Sequence, residues 1–157
     1  MRELILLRHA HAESGQPGQA DIERPLSATG RNEAAAAGDW LREHALQPGR
    51  VLCSPAARAR QTLDALGALD DADVRAEAAI YEATPGALIE LADAHRDASR
   101  LLLVGHNPGL EQLVALLHSG RTGQYRGMPP AGIAVLEFED AAALEPGSAR
   151  LSWFWWP

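Results

Sequence analysis

The apolar positions of this chain follow two alternating rhythms. Leu4-Ile5-Leu6-Leu7, Val51-Leu52-Cys53 and Leu101-Leu102-Leu103-Val104 are short, unbroken apolar runs. They predict strands buried on both faces, because a strand with one wet face would alternate with period two. Between the runs, apolar residues recur at helical spacing. Ala34, Ala37, Leu41 and Ala45 mark a helix that Ser27 caps and that runs to about His44, with Gln47-Pro48-Gly49 ending it. Ala59, Leu63 and Leu66 mark a second helix, with Ser54 as its cap and Pro55 in the first helical position. Leu88, Leu91 and Ala92 follow Thr84-Pro85, and Leu110, Leu113, Val114 and Leu117 follow Asn107-Pro108. A weaker strand is predicted near Val74.

Strands alternating with helices predict an α/β fold in three layers, α/β/α, with a mostly parallel central sheet covered by helices on both faces. The tail differs. Ile133 to Phe138 and Leu151 to Trp156 read as strands separated by a turn at Glu145-Pro146-Gly147, with no helix between them. They predict an antiparallel C-terminal edge. No repeat, linker or low-complexity tract interrupts the pattern, so residues 1–157 read as a single domain, of a length that supports its own core.

Composition narrows the class. Apolar residues make up 46% and charged residues 22%, which is ordinary for a globular protein. The net charge of -7 argues against nucleic acid as a partner, since phosphate backbones bind basic surfaces. A small phosphorylated ligand stays open, because a few clustered arginines set the local field. One cysteine, Cys53, excludes an intrachain disulfide and points to a reducing compartment. The N-terminal apolar stretch is too short for a signal peptide or a membrane span. A cytoplasmic protein without a membrane partner is expected, as a monomer or weak dimer.

Three strand ends carry unusual residues. The first ends in Arg8-His9, the second in Ser54 with Arg58 about one turn further on, and the third in Gly105-His106-Asn107-Pro108. Parallel strands bring their carboxyl ends to one edge, where α/β sheets bind ligands. The predicted pocket holds two imidazoles, two guanidiniums and two helix N-termini. A neutral imidazole is a competent nucleophile toward phosphorus, and guanidinium forks match phosphate oxygens with paired hydrogen bonds. Helix N-termini add free N–H groups. Glu82, just ahead of Thr84-Pro85, is the candidate acid for the leaving group.

Leu7-Arg8-His9-Ala10, Arg24-Pro25-Leu26-Ser27 with Gly30, Ser54 through Thr62, and Gly105-His106-Asn107-Pro108 together resemble the histidine phosphatase superfamily, the phosphoglycerate mutase-like fold. The blocks fall in order over nearly the whole chain. Ala10, where the broader superfamily prefers Gly, resembles the short SixA-like phosphohistidine phosphatases. The resemblance implies that His9 accepts the phosphoryl group covalently. It further implies that Arg8, Arg58 and His106 complete the phosphate pocket, that Arg24 is a further phosphate-side contact, and that Asn107 lies on the substrate side. Glu82 matches the superfamily's acid signature loosely. The implied substrate is a phosphorylated protein or a small phosphorylated molecule, with no cofactor and no metal. Two readings stand beside this one: a phosphoglycerate mutase-like phosphoryl transferase, and a non-catalytic phospho-binding module.

Blander roles are expected elsewhere. His9-Ala10-His11 also fits a metal site, but no Cys or Asp cluster supplies further ligands. His44, His95 and His118 are expected to face solvent, and Ser54 to act only as a cap. Arg60 reads as a surface residue, Cys53 as a small core residue, Tyr81 as core or pocket wall, and the C-terminal tryptophans as sheet packing. Asp70, Asp71 and Asp73 read as a solvated turn.

Overall fold

The computed structural model describes residues 1–123, 127–139 and 143–157. Its elements run β1 (Glu3–Arg8), a 3-10 turn (Asp21–Glu23), α1 (Ala28–Glu43), β2 (Arg50–Cys53), α2 (Ala57–Ala65) and β3 (Asp73–Ala76). They continue through a 3-10 turn (Ala78–Ile80), α3 (Pro85–Asp93), β4 (Arg100–Gly105), α4 (Gly109–Ser119), β5 (Ile133–Glu137) and β6 (Arg150–Trp155).

The six strands form one sheet in the order β3-β2-β4-β1-β5-β6. The first four in that order are mutually parallel, with Glu3 opposite Arg100 and Val51 opposite Leu102. β5 runs antiparallel to β1, and β6 antiparallel to β5 with a register shift between Val135 and Leu136. This is the mostly parallel sheet with an antiparallel C-terminal edge that the hydrophobic pattern predicts.

The unbroken apolar runs are explained by two cores. Because successive side chains point to opposite faces, Leu4 and Leu6 join Leu101, Leu103 and the apolar sides of α3 and α4. Ile5 and Leu7 join Val51, Leu102, Val104 and the apolar sides of α1 and α2. All four β1 leucine and isoleucine positions are fully buried. Burial of each such side chain contributes about 1.5–3 kcal/mol relative to exposure. β3, by contrast, is an exposed edge strand along its whole length.

Helix starts follow local chemistry. Ser27 caps α1 by accepting from the Gly30 N–H at 3.0 Å, and Thr84 caps α3 by accepting from the Ala87 N–H at 3.2 Å. Gly30 has a second reason to lack a side chain: a Cβ there would sit 2.0 Å from the carbonyl oxygen of His11. The segment after β1 therefore lies directly on the first turn of α1.

Three expectations are corrected. Ser54 does not cap α2: that helix begins at Ala57 with Ala56 in the cap position, leaving Ser54 and Pro55 in the turn ahead of it. His44 does not face solvent freely; it is half-buried and stacks on Trp40 with ring centroids 4.2 Å apart. Trp40 in turn stacks on Trp155 at 5.4 Å, which fastens α1 to the edge strand β6. His95 is likewise half-buried, 3.2 Å from Arg50, while His118 is exposed. Asp73 belongs to β3 and bonds Arg50 and Arg75. No helix of the described residues is long and apolar enough to cross a membrane.

Candidate active site

The parallel strands end on one edge, and the residues predicted there meet. A cavity of about 330 Å³ is lined by Arg8, His9, Arg24, Arg58, His106 and Asn107, among others. The rings of His9 and His106 lie 5.1 Å apart, centroid to centroid, at 55°. Their separation in sequence is closed by the register that sets Arg8 opposite Gly105.

His9 is fixed by its backbone and its ring. Its N–H donates to the Gly105 carbonyl at 3.0 Å. Its ring Nδ1 lies 2.7 Å from the carbonyl oxygen of Ala10. A carbonyl only accepts, so Nδ1 carries the proton and Nε2 keeps the lone pair. Burial lowers the His9 pKa to about 4, helped by the charges of Arg58, Arg8 and Arg24. The ring is therefore neutral at pH 7. The next peptide is also held: the Ala10 N–H donates to Thr62 Oγ1 at 3.0 Å, and that hydroxyl donates to the Arg58 carbonyl at 2.7 Å. Thr62 thus locks the end of β1 to the first turn of α2.

His106 meets Ser54. Its Nε2 lies 2.7 Å from Ser54 Oγ, which also accepts the Ala56 N–H at 3.3 Å. Its Nδ1 is buried, with no hydrogen-bond partner among the described residues. Burial first, then His9 and Arg58, lower its pKa to about 3. Tyr81 packs edge-on against the His106 ring at 5.6 Å.

Each arginine is anchored by hydrogen bonds to the protein. Arg8 donates to the Met128 carbonyl at 2.9 Å, and Arg58, nearly fully buried, donates to the Asp21 carbonyl and carboxylate at 2.8 and 3.0 Å. The Nε–H of each is buried, with no hydrogen-bond partner among the described residues. Arg24 donates to Asp21 Oδ1 at 2.9 Å and to the Glu13 carbonyl at 3.0 Å. Burial disfavours the charged form of Arg8, with Glu111 and Glu33 opposing that effect.

A second hollow of about 340 Å³ adjoins the first and shares Arg58, His106 and Asn107 with it. Tyr81, Glu82, Thr84, Pro108 and Gln112 form its other walls. Glu82 is exposed there, with a left-handed φ of 57°, a conformation rare for residues other than glycine. Asn107 lines both hollows. Its amide donates to Glu111 Oε2 and the Met128 carbonyl, and its Oδ1 accepts the Glu111 N–H at 3.2 Å.

Several residues of the site escape the sequence pattern. Asp21 binds Arg24, Arg58 and the Tyr81 hydroxyl, the last at 2.5 Å. The Tyr81 hydrogen bond, followed by those of the two arginines, holds its carboxyl well below the usual range. Its sole sequence signal is its position three residues ahead of Arg24. Ser54 was legible as a cap and not as a histidine partner. His11 turns to Glu33, 2.7 Å away, and among the described residues no three His, Cys, Asp or Glu side chains gather as a metal site. Arg60 lies on the surface and donates to the Pro55 carbonyl.

The chain is similar to known proteins in sequence and in fold. Residues 4–97 match the model of the histidine phosphatase superfamily, branch 1. A protein of Mycobacterium tuberculosis with no assigned activity is 41% identical over 92% of this chain and 96% of its own length. The phosphohistidine phosphatase SixA of Escherichia coli is 31% identical over 76% of each chain. The solved structure of a candidate SixA phosphohistidine phosphatase from Nakamurella multipartitia superposes with a TM-score of 0.87 at 34% identity, covering 99% of this chain and 96% of that one.

Proposed function

The chain belongs to the histidine phosphatase superfamily, branch 1, and on that premise we propose that it hydrolyses a phosphohistidine or a small phosphomonoester through a covalent intermediate on His9. The observation that carries this reading is the Nδ1–H bond from His9 to the Ala10 carbonyl. It leaves Nε2 with its lone pair, on a ring whose lowered pKa keeps it unprotonated, in a cavity walled by three arginines.

In the first step His9 Nε2 attacks phosphorus and the bond from phosphorus to the leaving oxygen or nitrogen breaks. The leaving group takes a proton from Glu82 or from solvent in the adjoining hollow. Arg8, Arg58 and His106 face the charge that spreads over the equatorial oxygens, with Arg24 and Asn107 as further substrate contacts. In the second step water attacks the phosphohistidine, the P–N bond breaks, and neutral His9 and inorganic phosphate are regenerated. A phosphoramidate nitrogen leaves easily once protonated, so a phosphohistidine substrate asks little of Glu82. This fits its exposed position. The likeness to proteins described as SixA phosphohistidine phosphatases supports the same substrate class.

The site lies in an open cavity on a short chain, which suits a protein-borne phosphoryl group or a small phosphorylated molecule. A mutase instead needs a site that holds its product and excludes water. The deciding experiment is turnover of p-nitrophenyl phosphate and of a phosphohistidine protein by wild type and His9→Ala. Loss of both activities in the variant, with acid-labile, base-stable label trapped on the wild-type enzyme, is the expected result. Activity surviving the substitution overturns the mechanism. Transfer of label to an acceptor with little free phosphate points to the mutase reading.

A further inference from the structure

Asp21 lies outside every apolar pattern, yet more site residues converge on it than on any other carboxylate described above. Its backbone carbonyl accepts from Arg58 Nη1 at 2.8 Å and its Oδ2 from Arg58 Nη2 at 3.0 Å, so one residue grips both terminal nitrogens of the same guanidinium. Its Oδ1 accepts from Arg24 Nε at 2.9 Å. The Tyr81 hydroxyl donates to Oδ2 at 2.5 Å, and the Tyr81 ring lies beneath Arg58, 5.9 Å from ring centroid to guanidinium carbon.

The turn that carries Asp21 has no other anchor of this kind. None of the residues Asp21–Glu23 is buried, and Ile22 is 37% exposed. A segment with so little apolar burial is not positioned by packing. Its placement against the cavity comes from these polar contacts and from the buried Leu26 just beyond it, whose N–H donates to Gln61 Oε1 at 2.8 Å. The second half of the problem is repulsion. Three guanidiniums line a single cavity, and each must keep N–H groups available for an anion. A carboxylate that binds two of them offsets the repulsion and fixes their orientation while leaving the Arg58 Nε–H free of it.

We propose that Asp21 is the positioning residue of the phosphate pocket: it clamps Arg58 in place and, through Arg24, holds the loop after β1 against the cavity. Asp21 acts through these arginines and does not itself touch the phosphoryl group. The proposal rests on the phosphatase reading above, and its test does not require turnover.

The test is calorimetric titration of inorganic phosphate into wild type, Asp21→Ala, Arg24→Ala and the double variant. It is accompanied by kcat and KM for p-nitrophenyl phosphate and by thermal melts. Asp21→Ala should weaken phosphate binding by about tenfold or more and raise KM in parallel, with a smaller fall in kcat. Its melting temperature should fall, but the protein should stay folded at assay temperature, because the carboxylate itself is exposed while Arg58 beside it is buried. Once Arg24 is gone, removing Asp21 should cost less than it does in wild type, since the two share one interaction. Asp21→Asn carries the same comparison should the alanine variant fail to fold. Phosphate affinity unchanged in Asp21→Ala overturns the proposal, and so does a loss undiminished in the Arg24→Ala background. If wild type binds phosphate and Asp21→Ala weakens it, yet turnover survives His9→Ala, the phosphatase mechanism fails and the positioning role stands.

Discussion

The junctions after β2 and β4 are written alike, as an apolar strand, a polar residue, a proline and a helix, but they are built differently. After β4, Asn107 serves its own helix, accepting the Glu111 N–H and donating to Glu111 and the Met128 carbonyl. After β2, Ser54 is drawn away from its helix. It is fully buried, and its hydroxyl is shared between the Ala56 N–H and His106, so α2 starts later and uncapped by any side chain. The difference shows that a capping residue next to a site is claimed by the stronger partner. A buried imidazole without its hydrogen bond costs more than a helix terminus that finds its partners elsewhere.

This contrast is open to attack by substitution. The largest effect is expected at Arg58, which the later start of α2 places in the cavity wall. Arg58→Ala should lower kcat/KM for p-nitrophenyl phosphate by about 10²–10³, the usual cost of one oxyanion donor. Next comes Ser54→Ala, which strands His106 Nε2 in a buried setting. It should destabilise by about 1–3 kcal/mol in urea or thermal unfolding and reduce kcat as well. Asn107→Ala should cost about 0.5–1.5 kcal/mol through the lost acceptor for the Glu111 N–H, with a smaller fall in kcat than Ser54→Ala causes. Equal losses of kcat from the two variants would erase the distinction between the junctions.

Acid should reveal the same two histidines. With a folded pKa near 4, His9 stays a nucleophile well below pH 6.5, so kcat/KM corrected for substrate ionisation should hold from pH 7 to about 5 and fall near 4. Stability behaves differently. The unfolded chain takes up protons on both histidines around pH 6.5, where the folded protein does not, so unfolding binds protons and stability declines as pH drops from about 6.5 toward 4. Melting temperatures across that range should fall more steeply in wild type than in His106→Asn. The smallest effect is expected at Glu82. Glu82→Gln should slow an alkyl phosphate more than a phosphoramidate, in paired kcat measurements, since solvent can protonate the nitrogen while the strongly basic alkoxide relies more on a held acid.

The strands and their burial on both faces were legible because Leu4 through Leu7 and Leu101 through Val104 state them outright. The meeting of Arg8, His9, Arg58 and His106 was legible because parallel strands must end on one edge. Asp21 was not, because its partners are Arg58 and Tyr81, 37 and 60 residues away, and no local periodicity marks such a contact. His44 failed for a related reason. Trp40, one turn earlier on α1, supplies one ring, but the second, Trp153, comes only from β6 folding back, which no local pattern marks.

Cys53 sits one residue before Ser54, within the same strand end that serves the site. Burial pushes its thiol up to about 12, and it is almost wholly shielded. At any physiological pH the sulfur stays protonated, and neither alkylating agents nor peroxide have a thiolate to attack. Under the proposed imidazole mechanism this buried thiol offers no site for oxidative inactivation. Oxidative stress that silences thiol-dependent phosphatases should leave this one running, and iodoacetamide should serve as a clean reagent for telling the two kinds apart in a mixed extract.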